Sequence, residues 1–495
     1  MGCNNFRLIT SRRQMLFDAA GGVGGVALAS LLAQEGLLSA GRAAAPRHVP
    51  KGDRSYDVRP RHPHHNPSAK AMISLFMHGG PSHMDLFDPK PELTKNDGKD
   101  YQGEVTFSFV NRASKKLMGS PFKFTQHGQS GTALSELLPH TATIVDDIAV
   151  VRSMHTDVNG HEPSIWAMNT GQKRPGRPAL GSWLTYGLGT ENQNLPAYCV
   201  LTDPGGLPVD GVRNWSQGWL PALYQGTPIR PTKPRILNLD VPDELAGPLQ
   251  GHSLSLLEKM NRRHLERHPG DSELEARIAS YELAANLQTV AREALDLSTE
   301  SPATRKLYGL DNPVTRSYGE RCLIARRLVE RGVRFVQIFI AGQIWDNHNS
   351  IFKNVRSCCE KTDQPSAALV KDLKQRGLLD TTLVHWGGEF GRLPVTENHG
   401  DPKTRGRDHN GQGFSMWLAG GGIKGGQAYG ESDEVGHRAA VNKVAPADYH
   451  ATLLHLFGIH HKELTYFHNG KAESLVDNAE CRIIADLLEH PPRGL

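Results

Sequence analysis

Cysteine is scarce in this chain, with six in 495 residues: Cys3, Cys199, Cys322, Cys358, Cys359 and Cys481. None stands in a Cys-x-x-Cys pair, which excludes a cysteine-based zinc ribbon. The neighbours Cys358 and Cys359 are too close to bridge readily, so no disulfide framework follows. A dominant charge is also missing. The 56 Lys and Arg against 52 Asp and Glu leave a formal net charge of +4. That is too small and too mixed for a nucleic-acid surface, and no Lys/Arg run lies on one periodic face. Past the N-terminal segment, no stretch has the ~20 uncharged apolar residues of a membrane span. No internal repeat occurs. The 38% hydrophobic and 22% charged content excludes wholesale disorder.

What the chain has in plenty is histidine, 24 in all. Many stand beside Asp, Gly or Asn in loop-like sequence, where ligands and acid–base groups are found. At the N-terminus, "SRRQML" (Ser11–Leu16) precedes the Gly/Ala/Leu-rich "AAGGVGGVALASLLAQ" and then "SAGRAAAP". A basic stretch, a weakly apolar stretch and small residues make an export signal, and Arg12-Arg13 gives it twin-arginine character. Pro46 disfavours cleavage directly after Ala45. Residues 1–45 are therefore read as the signal and the Pro/His/Arg-rich 46–70 as a linker. Residues 71–495 are read as one α/β domain with insertions near 100–125 and 238–318.

The domain alternates helices with strands that end in polar loops. "AMISLF" breaks at Gly79-Gly80. Asp147–His155, Ala197–Pro204, "RFVQIFI" and Thr382–Trp386 read as further strands. A helix with Cys322, Ala325 and Leu328/Val329 as its apolar stripe stops at Gly332. Residues 271–297 read as one long helix with Ser272 and Glu275 as a capping box and Leu274, Ile278, Tyr281 and Ala285 as its stripe. This grammar predicts a mostly parallel sheet with helices on both faces and its site at the carboxyl ends of the strands.

Those ends carry the chemistry. Loop one holds His78, Ser82, His83 and Asp85; loop two, His155, Asp157, His161 and Glu162; loop three, Asp346 and His348. Loop four holds Glu389 and Arg392, with His399, Asp401, Asp408 and His409 after them. Mixed carboxylate and imidazole ligands suit zinc or another first-row divalent ion. Pro163 and Gly171 bracket a short helix with His161 and Glu162 at its start, where free N–H groups and the positive dipole end favour an anion. The same dipole works against a charged His161.

"HEPSIWAMNTG" resembles the nucleophile segment of sulfatases, Cys/Ser-x-Pro-Ser-Arg followed by a helix and Thr-Gly. "GLLDTTLVHWGGEFGRLP" is similar to their late Thr-Leu-Val strand with its metal-ligand pair, and "VAPADYHATLLHLFGI" to their C-terminal Asp-x-x-x-Thr-Leu-Leu segment. Together with "SRRQML", "HGGPSHMDLFDPKP", "WDNH", "GGEFGR" and "GRDHN", these make the chain resemble the bacterial domain-of-unknown-function 1501 family, exported proteins of the alkaline phosphatase/sulfatase superfamily. The resemblance implies a three-layer alkaline phosphatase/sulfatase-like sandwich with a helical insertion. It also implies a divalent metal, zinc first, with calcium, magnesium or manganese as alternatives. The chain departs from the sulfatase pattern at several points. His161 stands at the cysteine position and Ile165 at the arginine. Glu389-Phe390 replaces the Asp-Asn or Asp-His pair, and His78-Gly79-Gly80 the paired aspartates. Formylglycine chemistry is thus unsupported.

Two readings follow. In one, the chain is an exported, periplasmic or extracytoplasmic hydrolase of phosphate or sulfate esters. Its metal ligands come from Asp346, His348, Glu389, His409, His78 and Asp85. His161 and Glu162 act as base or ligand, and Arg392 binds the anion of a small-molecule or polysaccharide ester. In the other, it is a non-catalytic binding or scaffolding protein on a decayed hydrolase fold. The twin-arginine export machinery is a partner in either case; nucleic acid is not. Replacing Arg12 and Arg13 together by lysine is expected to hold the protein in the cytoplasm, read by cell fractionation; undiminished export would remove the twin-arginine reading.

Overall fold

The computed structural model describes residues 57–108, 114–236, 248–268, 271–397 and 401–492. The signal reading (1–45) and His399 lie outside them. The described residues fall within one compact unit.

The central sheet is built from β1 (Ala71–Phe76), β2 (Ile148–Met154), β3 (Tyr198–Leu201), β4 (Thr227–Ile229), β5 (Phe335–Phe339), β6 (Thr382–Gly387), β9 (Phe414–Ala419) and β10 (Gln427–Tyr429), with the hairpin β7 (Gly391–Thr396) and β8 (Arg407–Asn410) beside it. Its order is β10-β2-β9-β6-β1-β5-β3-β4. All neighbours are parallel except at β9, which runs against both β2 and β6. The helices used below are α1 (His161–Thr170), α2 (Leu180–Leu188), α3 (Pro248–Arg267), α4 (Ser272–Leu295), α5 (Arg316–Glu330), α6 (Ile351–Gln375) and α7 (Pro446–Leu456).

The strands are apolar along their whole length because both faces are covered. On β1, Ile73 and Leu75 face one layer while Met72 and Phe76 face the other; Val336/Ile338 and Phe335/Phe339 on β5 divide in the same way. The first layer is α5 and α6, through Cys322, Leu323, Leu328, Val355 and Leu369. The second is α1, α2 and α7, through Ile165, Met168, Trp183, Leu184, Leu453 and Leu454. The chain therefore folds as the predicted three-layer α/β sandwich on a mostly parallel sheet. The five described cysteines are free, and four are buried.

Some local readings shift. Residues 57–70 are no loose linker. Backbone donors of Arg61, His64, His65, Ser68 and Ala69 reach Leu188, Gly458 and Leu456 carbonyls at 2.8–3.1 Å, so an unperiodic polar segment is held largely by backbone hydrogen bonds, with Val58 and Ala69 packing on the core. α1 starts two residues before Pro163, at His161, and ends at Gly171 with φ +72°. α4 is capped by Asp271, whose carboxylate accepts from Leu274 N at 3.0 Å, in place of Ser272. Its buried face is Ala276, Leu287, Ala291 and Ala294, while Tyr281 is 66% exposed. The predicted 238–318 insertion contains α3 and α4.

The α5–α6 layer is clamped by Arg326. Its guanidinium is 1% exposed and pairs with Glu300 at 2.6 Å, Glu330 at 2.6 Å and Asp372 at 2.9 Å. Removing one member of a buried ion network strands the others. Arg326→Met is therefore expected to cost about 3–5 kcal/mol in urea denaturation; a loss below about 1 kcal/mol would show the clamp to be dispensable.

Candidate metal centre

The topology gathers four loops on one edge. β1, β5 and β6 are adjacent and parallel, so His78, Asp346/His348 and Glu389 all follow carboxyl ends on the same side. β2 points the same way across β9, and its loop leads to His161 at the start of α1. Because β9 is reversed, it brings its beginning to that edge, and β8 just before it delivers His409. Gly79 (φ +115°) and Gly80 (φ +79°) let the loop after β1 pass close: a Cβ on Gly79 would stand 2.5 Å from Asp346 N, and one on Gly80 2.4 Å from the Phe390 ring.

Three imidazoles converge on the Asp346 carboxylate. His348 Nε2 is 2.9 Å from Oδ1, His409 Nε2 3.0 Å from Oδ1, and His161 Nε2 3.4 Å from Oδ2. His348 Nε2 and His409 Nε2 are themselves 3.0 Å apart. The opposite ring nitrogens identify the tautomers. His409 Nδ1 faces the Asn159 carbonyl at 2.7 Å, His348 Nδ1 the Glu397 carboxylate at 2.5 Å, and His161 Nδ1 the Glu389 carboxylate at 2.8 Å. Each of those acceptors takes an N–H, so in the neutral rings every Nε2 turns a lone pair toward Asp346. Lone pairs crowded on a carboxylate repel unless a proton or a cation lies among them. This is the donor arrangement in which a backbone carbonyl or carboxylate behind each histidine orients it toward a metal.

Without a cation, protons fill that role. Burial works against charge on His161, but hydrogen bonds to Asp346 and Glu389 outweigh it and raise its pKa to about 9. The dipole of α1, expected to keep this ring neutral, does not prevail beside two carboxylates. Burial also disfavours the His348 cation, yet Asp346 overrides it and raises that pKa. Burial lowers both His409 and His78. Asp346 is held far below the usual carboxylate range: burial opposes its ionisation, and the donors His161, His348 and His409 overcome that cost. Behind this set, His78, His161 and Glu389 offer one ligand atom each within 4.8 Å of one another. His78 is buried beside this set. The Phe390 ring stacks on His409 at 4.4 Å, so the second residue of the Glu389-Phe390 pair is a wall and not a ligand.

The structure thus brings together His78, His161, Asp346, His348, Glu389 and His409 from the residues read in the sequence, and places three others differently. Arg392 is buried and spends its donors on the Gly80, Arg407 and Trp345 carbonyls and on Asp346 at 2.6 Å, so it braces the loops instead of facing an anion. Asp85 is fully buried against Arg407 at 2.9 Å and also accepts from Ser82 Oγ. Glu162 is exposed and outside the cluster. Glu397, Asn159 and Phe390 escaped the sequence reading. Glu397 directly follows β7, in a hairpin that carries no helix–strand signal, and the other two act through a main-chain carbonyl and a ring face.

The chain matches the family described as "Protein of unknown function (DUF1501)" over residues 69–488. No curated protein matches it. Among solved structures it is similar to a sulfatase from Pseudoalteromonas sp. at 12% identity and a TM-score of 0.33, covering 79% of this chain and 68% of that one. It is also similar to a variant of the TAB5 alkaline phosphatase with Mg bound, at 12% identity and TM-score 0.31, covering 75% and 96%. A lipoteichoic acid synthase from Listeria monocytogenes gives 9% identity and TM-score 0.30, covering 79% and 72%.

Asp85→Ala leaves Arg407 charged and buried. It is expected to cost about 3–5 kcal/mol of stability while leaving the divalent metal per folded molecule unchanged; lost metal at unaltered stability would put Asp85 among the ligands.

Proposed function

The chain belongs to the DUF1501 family, and we propose that it is an exported hydrolase of phosphate or sulfate esters that depends on a divalent metal. The observation that carries this reading is the convergence of three imidazole Nε2 atoms on Asp346, each ring held from behind by Glu389, Glu397 or the Asn159 carbonyl. Asp346, His161, His348 and His409 would hold the ion. Three nitrogens and one carboxylate favour zinc over calcium or magnesium, which prefer all-oxygen shells. Bound there, the ion supplies Lewis-acid polarisation of an ester oxygen.

The remaining work falls to the chain. The side chains of Asp346 and His348 are 21% and 18% exposed, so the cluster opens to solvent on their side and an ester reaches it there. The first turn of α1 presents the N–H groups of His161 and Glu162 and the positive end of its dipole, a place for the ester anion now that Arg392 is committed elsewhere. Phe390 covers His409 and His161 and shields them from water. With no cysteine or serine at position 161, attack by water fits the site better than a covalent enzyme intermediate. An anionic small molecule or a polysaccharide ester suits such an open, polar edge.

Metal analysis of the purified full-length protein is expected to find about one zinc or more per chain. His348→Ala and His409→Ala should remove it. Glu397→Gln should weaken zinc affinity ~10–100-fold, because only the orientation of His348 suffers. His161→Ala should lose metal and ester hydrolysis, and also some thermal stability, because it takes a partner from the fully buried Glu389 carboxylate. Absence of stoichiometric divalent metal would sink the metal reading; bound metal with no turnover on a phosphate and sulfate ester panel would favour the non-catalytic binding protein.

A further inference from the structure

A second histidine cluster lies at the opposite edge of the sheet, where residues 57–70 enter β1. His64 and His65 on that strap meet His455 at the end of α7 and His460 just beyond it. The ring centroids form a row: His64–His460 6.2 Å, His460–His65 5.6 Å, His65–His455 4.5 Å. The strap is fastened here by its backbone, with His64 N and His65 N on the Gly458 carbonyl and Ser68 N and Ala69 N on Leu456. One fastening is chemically conditional: the His460 backbone N–H donates to His64 Nδ1 at 3.0 Å. A ring nitrogen that accepts carries no proton. His65 Nδ1 faces the Asn66 carbonyl at 3.3 Å, while its Nε2 is buried with no partner among the described residues, so a proton added there finds no acceptor among them.

We propose that this row is an acid-operated latch: protonating it turns His64 Nδ1 from acceptor to donor against an N–H, sets like charges side by side, and frees the 57–70 strap from α7. The surroundings do little to absorb the charge. Glu463 stands 3.6 Å from His64 Nδ1 but is 64% exposed and therefore screened. Lys462 adds positive charge on the same turn, and burial together with Lys462 and His460 holds the His461 pKa down. Asp380, Glu489 and His490 line the cavity of about 930 Å³ shared with His65, His455 and His460, and no ion pair joins either acid to these rings among the described residues. Burial, with His65, His460 and His461 adding to it, lowers the His455 pKa to about 4. Once the strap leaves α7, an uncovered His455 imidazole titrates near ~6.5. The released state therefore binds more protons below that pH. Docking is at full strength above about 6.5 and weakens as pH falls toward about 4.

Hydrogen exchange on the full chain tests this, with amides of His64, His65, Ser68 and Ala69 reporting the strap and Met72, bonded to Arg334 in the sheet, as the reference. After correction for intrinsic rates, strap protection is expected to fall at least roughly tenfold between pH 7 and 5 while Met72 holds. The double variant His64→Asn with His455→Gln keeps an acceptor at 64 but titrates at neither position, and should largely flatten the response. Protection independent of pH in the wild type, or an unchanged pH response in the double variant, would overturn the latch. If Met72 loses protection in the double variant at pH 7, His64→Asn alone decides: it must shrink the pH response.

Discussion

One carboxylate, Asp346, gives the carboxyl edge its geometry. Four positive or proton-bearing groups from separate elements aim at it: Arg392 from β7, His409 from β8, His161 from α1, and His348 two residues on. A half-buried charge so surrounded cannot be neutralised without disturbing all of them, since each would be left facing a lost partner. The glycines before it, the bracing by Arg392 and the stacking of Phe390 follow from bringing that many groups within hydrogen-bond reach of one side chain.

The outer ring of acceptors decides what the inner ring can do. Glu389, Glu397 and the Asn159 carbonyl claim the Nδ1 protons, which leaves three Nε2 lone pairs pointed inward. Glu389 is itself tied to Gly79 N at 3.0 Å, so the loop after β1 orients this carboxylate through its backbone. Glu389 in turn meets His161 Nδ1, which leaves His161 Nε2 facing Asp346.

The sandwich was legible in the sequence because strands covered on both faces leave unbroken apolar runs, and helix–strand alternation leaves glycines such as Gly332 and Gly377 at the helix ends. The loop residues His161, Asp346, His348, Glu389 and His409 were legible because each follows such a run or its hairpin. The misreadings share a cause: an ionisable residue announces its chemistry but not its partner. Asp85 and Arg407 satisfy each other across 322 residues, and Arg392 satisfies carbonyls that have no identity in sequence. Glu397 was invisible for the converse reason, since a glutamate before a polar loop is ordinary until His348 is placed against it. Pro163 misplaced the start of α1 because proline is tolerated anywhere in the first turn, not only at its first position.

The reversed strand β9 has a bearing on the order of events during folding. His409 reaches the edge only once β9 has found both β2 and β6, and its anchor Asn159 lies 250 residues back in the chain. His161 and Glu389 are 228 residues apart. Contacts of such separation pay their loop-closure entropy late, together with the parallel core, whose Ala71–Thr382 pairing is also long-range. A centre of this kind cannot act as a nucleus for its own fold. An ion captured there binds a finished sheet and stabilises the native state by mass action, so its effect should appear in slower unfolding and not in faster folding.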